Sequence, residues 1–279
     1  MTPLKVGAAL NTENLPKYRD WLFEMDRDLE IQDFFSSKVL LGDWKSVVDT
    51  ANKHLDGFQG RLGIHGPFVG FTLDNDDPEF MPIIQKRLMI ALEACEALGA
   101  TQMVMHSPFT TWDTYNFGNN PAVGNKPSAR DYKIERTGRV LEPIVARARE
   151  IGATLVVENI EDIDPNDQKA LATYLGSDTV KLSIDTGHAH YAYGSTGAPP
   201  VHYYVLAAGD QLDHVHIQDA DGHADRHWAP GQGTINWHAL FRALASLPVS
   251  PRLVLELHDH DDIPIGIKYL EDQGLAARA

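Results

Sequence analysis

Short, continuous apolar runs alternate along the chain with longer stretches in which apolar residues recur every three to four positions. The short runs fall at about residues 4–9, 28–33, 61–65, 101–106, 153–158, 180–185, 212–217 and 251–257. Runs such as Met103-Val104-Met105 and Leu155-Val156-Val157 show no polar alternation, as expected of parallel strands covered on both faces. Between the runs, Ile84, Leu88, Ala91, Cys95 and Leu98 share one helical face, as do Val140, Ile144, Ala148 and Ile151. Gly99 and Gly152 stop these two helices. Eight strand-then-helix units predict an α/β fold, a single parallel eight-stranded (β/α)8 TIM barrel, and the whole chain, 1–279, fits one such domain.

Where the apolar runs stop, side chains that bind metal begin. Nine of them lie at or just after predicted strand ends: His65, His106, Glu158, Asp185, His188, His216, Asp225, His227 and Glu256. Parallel barrel strands all deliver their C-terminal residues to one face, so residues far apart in sequence converge there. Glu158, Asp185, His216 and Glu256 would form consecutive walls of one pocket. Three carboxylates and an imidazole suit Mn²⁺, Mg²⁺, Co²⁺ or Zn²⁺ and leave positions for substrate oxygens. A strand-end salt bridge is the alternative for Glu158 or Glu256, but the residues before each supply no adjacent cation. The other five are more than one ion needs, so the expectation is one to three divalent ions per chain. Asp185 and His188, three apart, can serve neighbouring ions, and Asp225 and His227 can face the same way in extended backbone.

Of His214 and His216, which share one strand face, His216 is preferred because it lies nearer the strand end. His190, His214, His223, His258 and His260 read as supporting or solvated groups, and His258-Asp259-His260-Asp261-Asp262 as a solvated acidic loop. The stretch from Pro108 to about Arg130 predicts a long irregular loop with Phe109, Trp112, Tyr115 and Phe117, acting as a lid or substrate wall. Phe68, Trp112, Tyr191 and Arg226 are the candidate substrate contacts. Tyr191 and Tyr193 either stack on a sugar or pack on the rim, and Lys126, Arg130 and Arg226 are the candidates for anion contact.

Composition narrows the chemistry. Cys95 is the lone cysteine, so a disulfide framework or thiolate cluster is excluded and any metal is held by nitrogen and oxygen. The formal net charge of −15 disfavours a broad nucleic-acid surface, although bound cations would neutralise several of these carboxylates. A secretory leader pattern and an apolar span long enough for a bilayer are both missing, which predicts a cytoplasmic protein without membrane contact. Oligomeric state is not encoded in any pattern found here.

Together, Gly63-Ile64-His65, Val104-Met105-His106, Val157-Glu158-Asn159, Ile184-Asp185-Thr186-Gly187-His188, His214-Val215-His216-Ile217-Gln218-Asp219, Asp225-Arg226-His227 with Pro230-Gly231-Gln232-Gly233, and Leu255-Glu256 resemble the xylose isomerase-like barrel superfamily. It includes sugar phosphate isomerases and epimerases and endonuclease IV, and the resemblance covers essentially the whole chain. In the isomerases it implies one metal held by Glu158, Asp185, His216 and Glu256, with Glu158 and Glu256 as the catalytic acid and base that exchange a proton beside a carbonyl. In endonuclease IV it implies that all nine positions hold three zinc ions for phosphodiester cleavage, with Glu158 bridging. Ala8-Ala9-Leu10-Asn11, Glu30-Ile31-Gln32-Asp33-Phe34 and the basic-poor loop 108–130 favour the isomerase pattern and a small sugar or sugar phosphate as partner. A nucleic-acid partner is expected only under the zinc phosphoesterase alternative.

Overall fold

The computed structural model describes residues 2–124 and 126–279. Eight strands form the wall: β1 Gly7–Leu10, β2 Leu29–Ile31, β3 Leu62–His65, β4 Gln102–His106, β5 Thr154–Glu158, β6 Val180–Asp185, β7 Leu212–Ile217 and β8 Arg252–Leu255. They pair in sequence order, all parallel, and β8 returns to β1 with Gly7 opposite Val254, so the sheet is a closed barrel. Each predicted apolar run contains or overlaps one of these strands. The first, second and last runs extend beyond their strands, which are only three or four residues long.

The helices between strands turn their apolar stripes onto the barrel. In the helix Met81–Ala97, Ile84, Leu88, Ala91 and Cys95 are buried, and Leu98 follows them inward at the C-cap. In Ala129–Ile151, Val140, Ile144 and Ala148 are buried while Ile151 is only half-buried, because the helix ends there at Gly152 in the left-handed conformation. No helix among the described residues is long and apolar enough to cross a membrane.

The stretch 108–130 departs from the expectation of an irregular loop. Thr110 and Asp113 form a reciprocal cap that starts a helix at Thr111–Asn116, and a 3₁₀ turn follows at Phe117–Asn119. Phe109 is buried in the core rather than presented on a lid. Asn125, in the same stretch, lies outside the described residues.

Register places donors side by side. His106 sits opposite Glu158 across β4 and β5, and Asp185 opposite His216 across β6 and β7. Neighbouring parallel strands lie about 4.8 Å apart, so each pair reaches the same volume at the barrel mouth.

Candidate metal centre

The nine donors gather into three sets, each with ligand atoms within 4.8 Å of one another: His65, His106 and Glu158; Glu158, Asp185, His216 and Glu256; and His188, Asp225 and His227. Two atoms bound to one ion at about 2.1 Å can stand at most about 4.2 Å apart, so the sets need only small closure to ligate. Glu158 belongs to two sets. Its Oε1 lies 2.9 Å from His216 Nδ1, and its Oε2 lies 3.6 Å from His65 Nε2 and 3.7 Å from His106 Nε2.

The imidazoles are held in orientations that suit ligation. Nδ1 of His65 donates to Gly66 O at 2.9 Å, Nδ1 of His188 to Asn159 O at 2.9 Å, and Nδ1 of His227 to Glu256 O at 3.1 Å. A carbonyl only accepts, so these three rings carry their hydrogen on Nδ1 and turn the Nε2 lone pair to the site. The Nε2 atoms of His188 and His227 then stand 3.4 and 3.1 Å from Asp225 carboxylate oxygens. His216 is reversed, with Nε2 against Glu30 Oε1 at 3.0 Å and Nδ1 facing Glu158 and, at 3.3 Å, Glu256 Oε2.

Two buried carboxylate oxygens, Glu158 Oε2 and Asp185 Oδ2, have no hydrogen-bond partner among the described residues. An ionised oxygen in that position is costly unless a cation faces it. Burial pushes the Asp185 carboxyl up to about 6 despite His188 and His227, and pushes His106 down to about 3. Burial also acts to raise Glu158, but His216, His65 and His106 outweigh it and hold the carboxyl well below its ordinary value. Burial acts to lower His65, His188, His216 and His227, but the carboxylates that face them outweigh it and raise all four, so without a cation the site gathers protons that a divalent ion would displace on binding. By donor chemistry, orientation and orphaned oxygens, the residues fit divalent metal.

The third set depends on a loop that needs explaining, because Asp225 and His227 lie past the end of β7. Asp219 anchors that loop: Oδ2 accepts from Gly231 N at 2.8 Å and Trp237 Nε1 at 3.1 Å, and Oδ1 accepts from Ile235 N at 3.2 Å. A side chain on Gly233 would meet Ala220 O at 2.3 Å, so the Pro230-Gly231-Gln232-Gly233 turn closes only around glycine. Gln218 ties the loop to β6, donating from Nε2 to Asp185 Oδ1 at 3.1 Å and Asp225 Oδ1 at 2.9 Å while Oε1 accepts His227 N at 2.8 Å. His188 occupies the first turn of the helix Thr186–Thr196, where Asp185 caps the helix by accepting from His188 N at 2.7 Å. That cap fixes the spacing of the two donors.

A cavity of about 600 Å³ opens above the centre. Amides of Asn11, Asn14 and Gln32 line it, and an aromatic wall runs from Phe35 to Phe68 (5.5 Å between ring centres) to His106 (3.9 Å). Among the described residues no lysine or arginine lines it. His258, Asp259 and Asp261 are exposed, as expected of a solvated loop, and with His260 they also form part of the cavity rim. Phe68 lines this cavity. Trp112 is exposed and lines a separate one of about 230 Å³, bordered by Asp74, Asp113 and Lys133. Tyr191 and Arg226 lie outside the lining of the main cavity, Arg226 being held by Asp221 at 2.9 Å and stacked over Trp228. Of the other candidates for anion contact, Arg130 is bound to Asp167 and Lys126 lies in a short bridge with Val123.

Sequence reasoning assigned no role to Glu30, Gln32 or Gln218. The available signal was position: Glu30 is a charged residue between Leu29 and Ile31, all three buried.

Comparison with known proteins places the architecture. The TTHB071 protein from Thermus thermophilus, solved after soaking with ZnCl2, superposes with a TM-score of 0.72 at 22% identity, covering 99% of this chain and 100% of that one. A D-tagatose 3-epimerase-like protein gives a TM-score of 0.75 at 18% identity and 96% coverage of both. The uncharacterized protein MJ1614 of Methanocaldococcus jannaschii is 25% identical over 127 residues, 44% of this chain and 47% of that protein, so the match spans about half the length of this curated relative. A family model described as the xylose isomerase-like TIM barrel matches residues 32–273, and the chain belongs to that family.

Proposed function

We propose that this protein is a divalent-metal-dependent isomerase or epimerase of a small sugar or related polyol. The observation that carries the reading is the cavity: Glu158 and Glu256 stand at its floor within 3.3 Å of His216 Nδ1, beneath walls of side-chain amides and stacked aromatic rings. Amides suit sugar hydroxyls, aromatic faces suit the C–H face of a sugar, and a polyanionic backbone would find no lining cation. The fold shared with the D-tagatose 3-epimerase-like protein is consistent with this.

A cation held by Glu158, Asp185, His216 and Glu256 would supply Lewis acidity to adjacent substrate oxygens, lowering the pKa of the C–H between them. In epimerisation Glu256 takes the proton from the carbon beside the carbonyl and Glu158, having first taken a proton from solvent, gives that proton to the opposite face; in isomerisation the proton held by Glu256 returns to the neighbouring carbon of the enediol while a hydroxyl proton moves between the two oxygens. The Phe35–Phe68 wall excludes water from the carbanionic face. The test is incubation of metal-analysed protein with a panel of ketoses and their phosphates in D2O. Deuterium entering the carbon next to the carbonyl supports the reading; a panel that exchanges no proton at any metal loading counts against it.

One observation favours a second reading, a zinc phosphoesterase: the His65–His106 side of Glu158 and the His188–Asp225–His227 set provide for two ions beyond the first. Three such ions would supply hydrolytic chemistry at phosphorus. Asp225→Ala separates the two, since it removes phosphoester hydrolysis while leaving proton exchange measurable.

A further inference from the structure

Strand β2 adds Glu30 beside the three sets, close enough to form two further groups of donors, one with His214 and His216 and one with His65 and Glu256. Glu30 is buried, with its two carboxylate oxygens facing two imidazoles: Oε1 is 3.0 Å from His216 Nε2, and Oε2 is 3.3 Å from His214 Nε2. The far side of His214 is fixed in turn, its Nδ1 lying 2.8 Å from Ser183 Oγ on β6. Gln32, immediately after β2, donates from Nε2 to Glu256 Oε1 at 2.7 Å, while Glu256 Oε2 is the oxygen on the His216 side.

We propose that Glu30 is a positioning residue for the middle donor set: it accepts the Nε2–H of His216 and so holds Nδ1 as the metal-binding atom. The inference rests on the reading that His216 is a metal ligand.

The physical argument concerns the ring's two choices. His65, His188 and His227 offer Nε2 because backbone carbonyls occupy their Nδ1 hydrogens. His216 must offer Nδ1, the less accessible nitrogen beside the backbone, and no carbonyl holds its Nε2. Without Glu30 the imidazole is free to exchange tautomers and rotate about its Cβ–Cγ bond, which takes the lone pair away from Glu158 and Glu256. A carboxylate on the distal N–H also makes the ring a stronger donor, and partners of this kind are worth about 10- to 100-fold in metal affinity. Ser183 and His214 keep Glu30 from swinging into the cavity, so its orientation is set from the opposite wall of the barrel.

The experiment titrates zinc and, separately, cobalt(II) into apo wild type, Glu30→Gln and Glu30→Ala, following stoichiometry, site affinities and the cobalt ligand-field spectrum. Gln retains an acceptor for the His216 N–H but loses its charge, and Ala loses both. Expected are an affinity at the middle set about 10-fold weaker for Glu30→Gln and about 100-fold weaker for Glu30→Ala, with a shifted cobalt spectrum. The His188–Asp225–His227 set, which Glu30 does not touch, should keep its affinity within about twofold and serves as the internal control. Unchanged affinities in a folded variant overturn the proposal, as does equal and complete loss of one ion in both variants, which makes Glu30 itself a ligand. Should Glu30→Ala fail to fold, Glu30→Gln decides alone through affinity and spectrum. Wild type that binds no metal refutes the underlying metal reading instead, so the two failures are distinguishable.

Discussion

Gly187 lies so close against the Gln218 side-chain amide that a methyl group on Gly187 would stand 2.2 Å from Gln218 Cδ and Oε1. Gln218 is the link between Asp185 and the Asp225–His227 loop, so the missing side chain on one residue secures donors on two others. Gly187→Ala is expected to displace Gln218 and weaken the third set by about tenfold or more, with a smaller effect on the middle set, which Asp185 also shares with β5, β7 and the residue after β8. Metal stoichiometry under limiting zinc checks this. Retention of the full complement would falsify the role given to Gln218.

The sharing of Glu158 makes loss of metal unequal across variants. In protein loaded at all three sets, Asp225→Ala or His227→Ala should lower the content by about one ion. Glu158→Ala should lower it by about two, because it opens two sets at once. Elemental analysis of protein purified without chelator decides between these, and equal losses would mean that Glu158 does not bridge.

Glu256→Gln separates binding from chemistry. Gln keeps the size of the side chain and one carbonyl oxygen toward the centre, while the proton acceptor is gone. Turnover should fall by about 10²- to 10⁴-fold with most of the metal retained. Solvent deuterium exchange gives the readout, and an active variant would remove Glu256 from proton transfer.

Removing metal should be visible in stability. A ligand that binds only the folded state contributes about 4 kcal/mol when present at a thousand times its Kd, which for a chain of this size is on the order of 10 °C in Tm. Thermal melts with and without a strong chelator should differ by that order. Superimposable melts would show that the centre is not loaded.

Asp162 sets a separate pH dependence. It is buried, and burial pushes its carboxyl from an ordinary 3.8 up to about 7, outweighing donation from Ser107 Oγ and Ile160 N. Between these values the folded chain binds the proton more tightly than the unfolded chain does, so this residue's contribution is full below about pH 4 and is lost as pH rises through about 7. Asp162→Asn should therefore be more stable than wild type at pH 8, by on the order of 4 kcal/mol, and no more stable at pH 4. Melts at the two pH values measure it.

What could be read in the sequence followed the physics of each residue. Donors at strand ends were legible because a buried apolar run that stops at His106 or Glu158 marks both the strand and its C-terminal face. The three sets could not be partitioned from spacing, since registers such as Asp185 opposite His216 depend on a shift between β6 and β7 at Leu182 and Ser183. Glu30 and Gln32 were legible only as part of a segment resembling the isomerases, with no place in the site, because their partners lie 186 and 224 residues away. The acidic run 258–262 looked solvated from composition, and only closure of the barrel turns part of it over the cavity. The helix at Thr111–Asn116 had a readable capping signal in Thr110 and Asp113, masked by the glycines, asparagines and prolines around it.

The donor sets also become complete at different points along the chain. His65, His106 and Glu158 all precede residue 159, the His188 set ends at His227, and the middle set waits for Glu256. During synthesis the ribosome therefore releases a partial chelator long before it releases the barrel. An ion captured early by the first set would tether β3, β4 and β5 together before β8 exists to close the wall, so under the metal reading its supply during translation would bear on how the chain folds as well as on whether the finished chain is loaded.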